Sequence, residues 1–344
     1  MGIGVSFALA AGLMWGLVFI APSLLPEYPA ALLSFGRYLA FGLIALPLAW
    51  LDRQRLAQLT RDDWIEAAKL AAIGNIVYYL FLASAIQRAG GPLPTVIIGT
   101  LPVVIAISSN LRDHRRDGKL PWLRLLPSLA LIGAGIALVN QVEIAHLRSD
   151  AQADLGRYAT GALLAVGAVA CWTWYPLRNA DWLRKNVDTL GAARRPSERE
   201  LALGAARRAR ADPSPSTWAT AQGIATLPLA LLGYAGWWAV SALTGDGFPM
   251  PFGPRPGAFI ALMFAVGLFA SWLGTLCWNE ASQRLPTTLV GQLIVFETLS
   301  ALAYAFMLRG RMPEPATLAG IALLVAGVLW ALRVRPEPAV AHGA

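Results

Sequence analysis

Long runs of apolar residues alternate with short polar stretches along the whole chain. Each run holds roughly twenty residues, the length that an α-helix needs to cross the ~30 Å hydrocarbon layer of a bilayer. The pattern predicts an all-α membrane protein with ten transmembrane helices: 3–21, 30–51, 64–87, 91–111, 122–140, 158–178, 216–243, 258–283, 286–308 and 315–333.

Composition agrees with this pattern, because 56% of the residues are hydrophobic and only 14% are charged. Thirteen tryptophans also suit a chain that crosses many membrane interfaces. Both cysteines, Cys171 and Cys277, lie inside predicted spans, and all three histidines lie in loops or the tail. We therefore predict neither a disulfide nor a metal site, and no cofactor.

The net charge of +8 raises the question of an acidic partner. Most of the Lys and Arg residues lie in the loops after the second, fourth and sixth predicted spans, and the opposite loops hold few. By the positive-inside rule, the basic loops and both termini are cytoplasmic, in a multi-pass protein of the plasma or inner membrane. The charge thus indicates orientation, and it requires no nucleic acid.

The second half of the chain resembles a diverged copy of the first. Five matches occur in the same order in both halves: Trp15 with Trp172, 42–48 with 223–229, 85–88 with 281–284, 101–102 with 296–297, and Ser128 and Gly135 with Gly320 and Gly327. Chance similarity between leucine-rich helices is the alternative explanation. We predict two five-helix repeats, 1–140 and 158–335, the second with a basic cytoplasmic insert near 184–215.

An odd number of spans in each repeat reverses the second repeat in the membrane. Inverted repeats of this kind give many secondary transporters two related conformations, which open a central site first to one face and then to the other. The repeats therefore predict a carrier that works by alternating access.

The residues at several points resemble a known family. Ten spans as five plus five, Trp15-Gly16 in the first span, Arg37 in the second, Leu101-Pro102 in the fourth and a glycine-rich last span in each half are similar to the drug/metabolite transporter superfamily, in its EamA-like ten-helix family. The resemblance covers nearly the whole chain. It implies export of amino acids, aromatic ones among them, or of other small metabolites. The long insert and Glu297, which stands where the first half has Pro102, depart from the family pattern.

Glu297 is the principal candidate for the chemistry of transport. It lies about eleven residues into the ninth predicted span, where an ionised side chain costs at least ~2.5–3.5 kcal/mol. One interpretation is a carboxylate that binds a proton or the cationic part of a substrate. The other is a structural partner of Arg37 or of a neighbouring helix. Arg37 in turn either receives a substrate carboxylate or holds helices together.

Aromatic and polar side chains share helix faces in three spans. Their spacings of three and four residues align Asn75 with Tyr78 and Tyr79, Trp15 with Phe19, and Trp172 with Tyr175. Such faces suit a pocket for an aromatic or amphipathic molecule, and they are equally typical of packing. With Arg37 and Glu297, these side chains form the predicted substrate-binding set.

Motifs of other protein classes do not occur in the sequence. It contains no Gly-x-x-x-x-Gly-Lys for ATP and no His-Glu-x-x-His or Gly-x-Ser-x-Gly for hydrolysis. We therefore expect a secondary transporter of small organic molecules, such as amino acids, that exports them with possible coupling to protons, and not an enzyme. An intramembrane enzyme acting on a lipid-linked substrate is the alternative, and a channel is a third reading.

Overall fold

The computed structural model describes residues 2–89, 92–111, 121–148, 155–191, 214–245, 247–310, 314–331 and 333–334, and the regular structure within them is helical. We label the long helical segments in chain order: α1 Gly2–Leu24, α2 Ala30–Leu51, α3 Arg61–Ala89, α4 Pro92–Ile98 with Leu101–Leu111, α5 Trp122–Arg148, α6 Leu155–Gly191, α7 Pro215–Thr244, α8 Pro256–Arg284, α9 Thr287–Leu293 with Val295–Arg309, and α10 Pro315–Ala331. A single helical turn, Arg53–Leu56, follows α2.

Local signals in the sequence account for several helix ends. At the start of α3, the Thr60 hydroxyl accepts from the Asp63 backbone N–H and the Asp63 carboxylate accepts from the Thr60 N–H, which forms a capping box. Ser214 caps α7 by accepting from the Thr217 N–H at 3.2 Å. The C-terminal ends of α7 and α9 fall at Gly245 and Gly310, whose φ values of 62° and 60° favour glycine.

Seven helices in the described part of the chain are long and apolar enough to cross a membrane: α1, α2, α3, α6, α7, α8 and the part of α9 at Leu289–Leu308. The apolar stretches Trp122–Leu138 of α5 and Pro315–Gly327 of α10 are shorter. The sequence pattern of a multi-pass helical membrane protein is confirmed, and the predicted number of ten spans exceeds the seven that these criteria identify.

The predicted spans 91–111 and 286–308 are not continuous helices. The first is interrupted between Ile98 and Leu101, where Pro102 lacks the N–H that a continuous helix would use and its ring excludes the carbonyl four residues earlier. The second is interrupted at Ile294. Apolar length alone predicted unbroken helices here, and the two breaks lie just before the matched pairs 101–102 and 296–297.

The sixth predicted span, 158–178, is too short. In the structure α6 runs from Leu155 to Gly191 and enters the segment predicted as the insert near 184–215. The predicted span stopped early because Arg178, Asn179 and Asp181 end the apolar run, although they do not end the helix. Residues 192–213 of that insert lie outside the described residues.

Two π-helical stretches occur in the same register of the two halves. Leu70–Val77 lies within α3 and Gly267–Leu273 lies within α8. Each stretch ends eight residues before the shared Ala-x-Gln-Arg sequence, which begins at Ala85 in α3 and at Ala281 in α8. Stretches of π-helix weaken the regular hydrogen-bond ladder and are frequent at functional sites.

Each main contact between two helices has a counterpart between the corresponding helices of the other half. Helix α1 packs on α8 and α9, and the corresponding helix α6 packs on α3 and α4. Helix α2 packs on α7, α4 on α9 and α5 on α10, so these three pairs join matched helices. The most extensive contacts therefore join the first half to the second.

The surface of the bundle carries many large apolar side chains, and polar side chains lie among the apolar ones of its interior. Leu163, Leu232 and Leu243 are each more than 70% exposed, whereas Asn179 and Asn279 are fully buried. Large exposed apolar side chains suit contact with lipid, where polar groups must turn inward. The surface thus supports a membrane environment.

Close packing of α5 on α10 depends on glycine. A Cβ atom on Gly135 would lie 2.6 Å from the Gly320 carbonyl oxygen, whereas one on Gly133 would meet nothing within 4 Å.

We expect Gly135→Ala to destabilise the protein by about 1–3 kcal/mol through overpacking. Thermal unfolding in detergent measures this, with Gly133→Ala as the matched control, which should melt no lower than the wild type. Equal melting temperatures for the two variants would contradict the packing.

Candidate functional site

Trp172 of α6 lies at the centre of a stack of aromatic rings. Its ring stacks on Tyr78 of α3, with centroids 4.5 Å apart, and on Tyr175, with centroids 4.9 Å apart. Trp15 of α1 meets Trp172 edge-on at 5.0 Å and contacts Trp278 of α8 at 5.0 Å. The two tryptophans that correspond in the repeats are thus in direct contact, and the rings come from both halves.

Arg37 of α2 lies beside this stack, buried under aromatic rings. Its guanidinium group lies 4.8 Å from the centroid of Tyr38 and 4.5 Å from that of Tyr79, distances at which a cation is attracted to a ring face. Its Nε donates to the hydroxyl of Ser271, in the π stretch of α8, at 3.0 Å. A residue of the second half therefore fixes the orientation of Arg37.

Glu297 lies in the first turn of the second piece of α9, where the free N–H groups of a helix favour a negative charge. The residue is 1% exposed. Gly12 of α1 makes room for it, since a Cβ on Gly12 would lie 3.0 Å from the Glu297 backbone nitrogen. Arg37 is the cation that acts on its carboxylate, and the Trp172 side chain is a hydrogen-bonding neighbour of it.

The remaining predicted residues are also buried. Asn75 lies in the π stretch of α3, and Tyr79 donates to the Val18 carbonyl at 3.1 Å. Phe19 lies in the short 3₁₀ turn within α1 and belongs to the surrounding hydrophobic core. The structure thus places the whole predicted set in the interior, with Phe19 at its margin.

Several polar atoms of this region have no hydrogen-bond partner among the described residues. Four belong to the predicted set: Arg37 Nη1, Asn75 Nδ2, Tyr78 Oη and Glu297 Oε2. Thr298 Oγ1 and Trp278 Nε1 are further examples. Most buried polar groups in proteins are paired, so a concentration of unpaired donors and a carboxylate oxygen indicates a place for a polar ligand or water.

A second buried polar cluster was not predicted. The side-chain oxygen of Asn179 accepts from Trp218 Nε1 at 2.8 Å and from Gln222 Nε2 at 3.3 Å, and its nitrogen donates to Asn279 at 2.9 Å. Tyr175 donates to Gln222 at 2.8 Å and so links this cluster to the aromatic stack. The sequence signal for this cluster was the presence of the amide side chains of Gln222 and Asn279 inside apolar spans. Unlike the candidate site, this cluster pairs its side-chain groups with one another.

An ion pair between α3 and α6 was also missed. Glu66, 2% exposed at its side chain, accepts two hydrogen bonds from the Arg178 guanidinium group at 2.5 and 3.0 Å. The signal was a glutamate within the third predicted span and an arginine at the end of the sixth.

The open cavity between α2, α3, α6 and α7 is separate from the candidate site. Its volume is about 720 Å³, and Ser84, Arg88, Arg157 and Trp237 are among the residues that line it. None of the predicted substrate-binding residues lines this cavity, so we assign the site to the aromatic stack and its unpartnered polar atoms.

Membrane-length helices in two matched halves, with polar groups and aromatic rings between them, are the architecture of a membrane transport protein. Residues 2–141 match the EamA-like transporter family. The chain is 53% identical to the inner membrane protein YtfF of Escherichia coli (strain K12) over 336 residues, which cover 97% of this chain and 96% of that protein. The chain belongs to the EamA-like transporter family, within the drug/metabolite transporter superfamily.

A protein of known crystal structure has the same fold. The TM-score is 0.64 at 16% sequence identity, over 95% of this chain and 96% of that one. The family match and the 53% identical relative confirm the resemblance seen in the sequence, and the chain is a multi-pass membrane transporter of the drug/metabolite type.

The two buried glutamates are expected to differ in what they contribute to stability. Glu297→Gln should melt at or above the wild-type temperature, because an oxygen of this carboxylate is unpartnered and functional sites are often strained. Glu66→Gln should melt lower by about 3 °C or more, since its charged hydrogen bonds to Arg178 are weakened. Thermal unfolding of both purified variants measures the difference, and the reverse order would contradict this assignment.

Proposed function

We propose that this protein is a secondary transporter that moves small organic metabolites by alternating access, with amino acids as the first substrate class to test and export as the direction. The observation that carries the proposal is the position of the unpartnered polar atoms. They lie where helices of both halves meet, which is where an alternating-access carrier binds its substrate.

The architecture proposed for this mechanism is ten transmembrane helices in two inverted five-helix repeats. The exchange symmetry of the helix contacts supports it, as do the π stretches and the helix breaks, which fall at matched positions in both halves. In this arrangement α4, α5 and α10 cross the membrane as well, although their apolar stretches are short or interrupted.

The chemistry of the site suits a zwitterion with an apolar or aromatic side chain. Arg37 Nη1 is a donor for a carboxylate, and the Glu297 carboxylate is an acceptor for an ammonium group. The rings of Tyr78, Trp172 and Trp15 offer stacking surfaces for the rest of the molecule. The Glu297 carboxylate is also the group that we assign to proton coupling.

Membership of a transporter family supports a carrier over an intramembrane enzyme. We place the protein in the inner or plasma membrane with both termini in the cytoplasm. The support is the distribution of Lys and Arg between alternate loops, together with the inner-membrane relative.

Counterflow in proteoliposomes tests the proposal. Purified protein loaded with unlabelled amino acids, aromatic and aliphatic, is expected to accumulate the labelled form of one class, with saturation and a response to an imposed pH gradient. Glu297→Gln should fold, lower uptake at least about tenfold and lose the response to the gradient, because the amide cannot exchange a proton.

Asp62→Asn is the matched control, because it neutralises an exposed carboxylate in the first turn of α3. It should transport as the wild type does. Wild-type uptake and pH response in Glu297→Gln would remove this residue from the mechanism. Absence of counterflow for any metabolite, from protein shown to be folded, would contradict the carrier and favour an enzyme with a lipid-linked substrate.

The proposed orientation predicts which loops are accessible from each face. In intact cells with Cys171 and Cys277 replaced by alanine, a cysteine at Glu27 should react with a membrane-impermeant thiol reagent added outside. A cysteine at Gln58 should react only after the membrane is opened. The opposite pattern would reverse the orientation.

A further inference from the structure

We propose that Glu66 and Arg178 form a latch that closes the cytoplasmic end of the transport pathway at the seam between the two halves. The inference rests on the proposed function, because a latch of this kind has a role only in a protein that opens alternately to the two faces.

Glu66 and Arg178 form a bidentate ion pair. Arg178 Nε donates to Glu66 Oε1 at 2.5 Å and Nη2 donates to Oε2 at 3.0 Å, so both carboxylate oxygens are engaged by one planar group. The Lys69 ammonium group lies 3.6 Å from Oε2. Glu66 is 2% exposed and Arg178 is 40% exposed at the side chain, so water screens the pair only from one side.

The latch and the candidate site share two helices. Glu66 and Tyr78 both belong to α3, and Arg178 and Trp172 both belong to α6. Tyr78 and Trp172 stack at 4.5 Å across the same seam that the ion pair closes. Any separation of α3 from α6 at this end must therefore break the ion pair, and the π stretch Leu70–Val77 lies between the pair and the site.

Other contacts at this end join the same halves. Trp182 Nε1 of α6 donates to Asp63 of α3 at 3.0 Å. At the adjoining seam, the hydroxyl of Thr217, in α7, donates to Asp52 at the end of α2. Each contact pairs a carboxylate of the first half with a residue of the second half. Together with the buried Glu66, these contacts hold the two halves against each other at the cytoplasmic end.

At the opposite end, Tyr28 donates to the Phe252 carbonyl at 2.9 Å and stacks on Phe259, and the ion pair there is more exposed. Glu27, after α1, pairs with Arg255, before α8, and the guanidinium hydrogen bond lowers the pKa of the Glu27 carboxyl. The side chains are 34% and 51% exposed, and solvent screening makes exposed pairs weak. The Glu66–Arg178 pair is thus the more deeply buried of these two ion pairs, and release of this latch is the step that opens the site to the cytoplasm.

A cysteine in the site reports which end is open. In a background with Cys171→Ala and Cys277→Ala, Thr298→Cys introduces a buried thiol where the native hydroxyl has no hydrogen-bond partner among the described residues. The probe is a membrane-impermeant maleimide, applied to right-side-out and inside-out vesicles. Its rate of reaction is measured from each face.

Glu66→Gln should raise the rate of maleimide labelling from the cytoplasmic face about fivefold or more. A shift of this kind in the population of the open state is the low end of what coupling between two parts of a protein produces. Arg178→Lys keeps the charge but loses the bidentate geometry, and should raise the rate less. Glu27→Gln should raise the rate from the opposite face only. Asp62→Asn, one helical turn before Glu66, should leave both rates at the wild-type value.

Equal rates in Glu66→Gln and the parent, from protein with an unchanged elution profile, would overturn the latch. So would an equal rise in Asp62→Asn, or a rise from the opposite face. The labelling requires no substrate, so its outcome is separate from counterflow. A transporting protein with unchanged labelling would lack the latch, whereas labelling as expected without any counterflow would overturn the proposed function instead.

Discussion

The bilayer interior offers no water to a backbone N–H or C=O group, and the rest of this structure depends on that constraint. A helix that loses part of its hydrogen-bond ladder must lie where other protein groups or a cavity can compensate. The breaks in α4 and α9 and the π stretches in α3 and α8 are four such places, and each lies in the helices that pack across the two halves. Three of these places, in α3, α8 and α9, hold or adjoin residues of the buried site, namely Asn75, Ser271 and Glu297.

Packing between the halves has to be extensive enough for folding and weak enough for movement. Small residues make this possible in α1, where a Cβ on Gly12 or Gly16 would collide with the backbone or side chains of α9 at Glu297 and Ser300. Membrane helices associate through packing and not through exclusion of water. Helices that meet at glycines have no large interlocked side chains to separate, so they can slide or part more readily. In the proposed mechanism, ion pairs and hydrogen bonds at the two ends set which arrangement is favoured.

Much of the fold was predictable because it depends on local sequence. Apolar length located most helices, and the matches between the halves singled out Trp15 and Trp172, which lie in contact in the structure. The family was predictable from short motifs spread over the whole chain. Pro102 marks the first helix break in the sequence, but the break at Ile294 was not predictable, since apolar composition is the same in straight and interrupted helices. The partnership of Glu66 with Arg178 and the Asn179 cluster were also beyond reach, because each joins residues on different helices that only the folded packing brings together.

The buried polar groups of this protein fall into two sets. One set is hydrogen-bonded within a single half, and the other contains groups without a partner among the described residues. Asn179, Asn279, Trp218 and Gln222 are bonded to one another within the second half and can move as one body. Arg37 is different, because its orientation depends on Ser271 of the other half while one of its nitrogens remains without a partner among the described residues. A ligand that supplies the missing partners to Arg37 and Glu297 would bind best when both halves present their groups at once. In the proposed mechanism its binding energy would favour the arrangement in which both halves engage it, and only differential affinity of this kind can shift such an equilibrium.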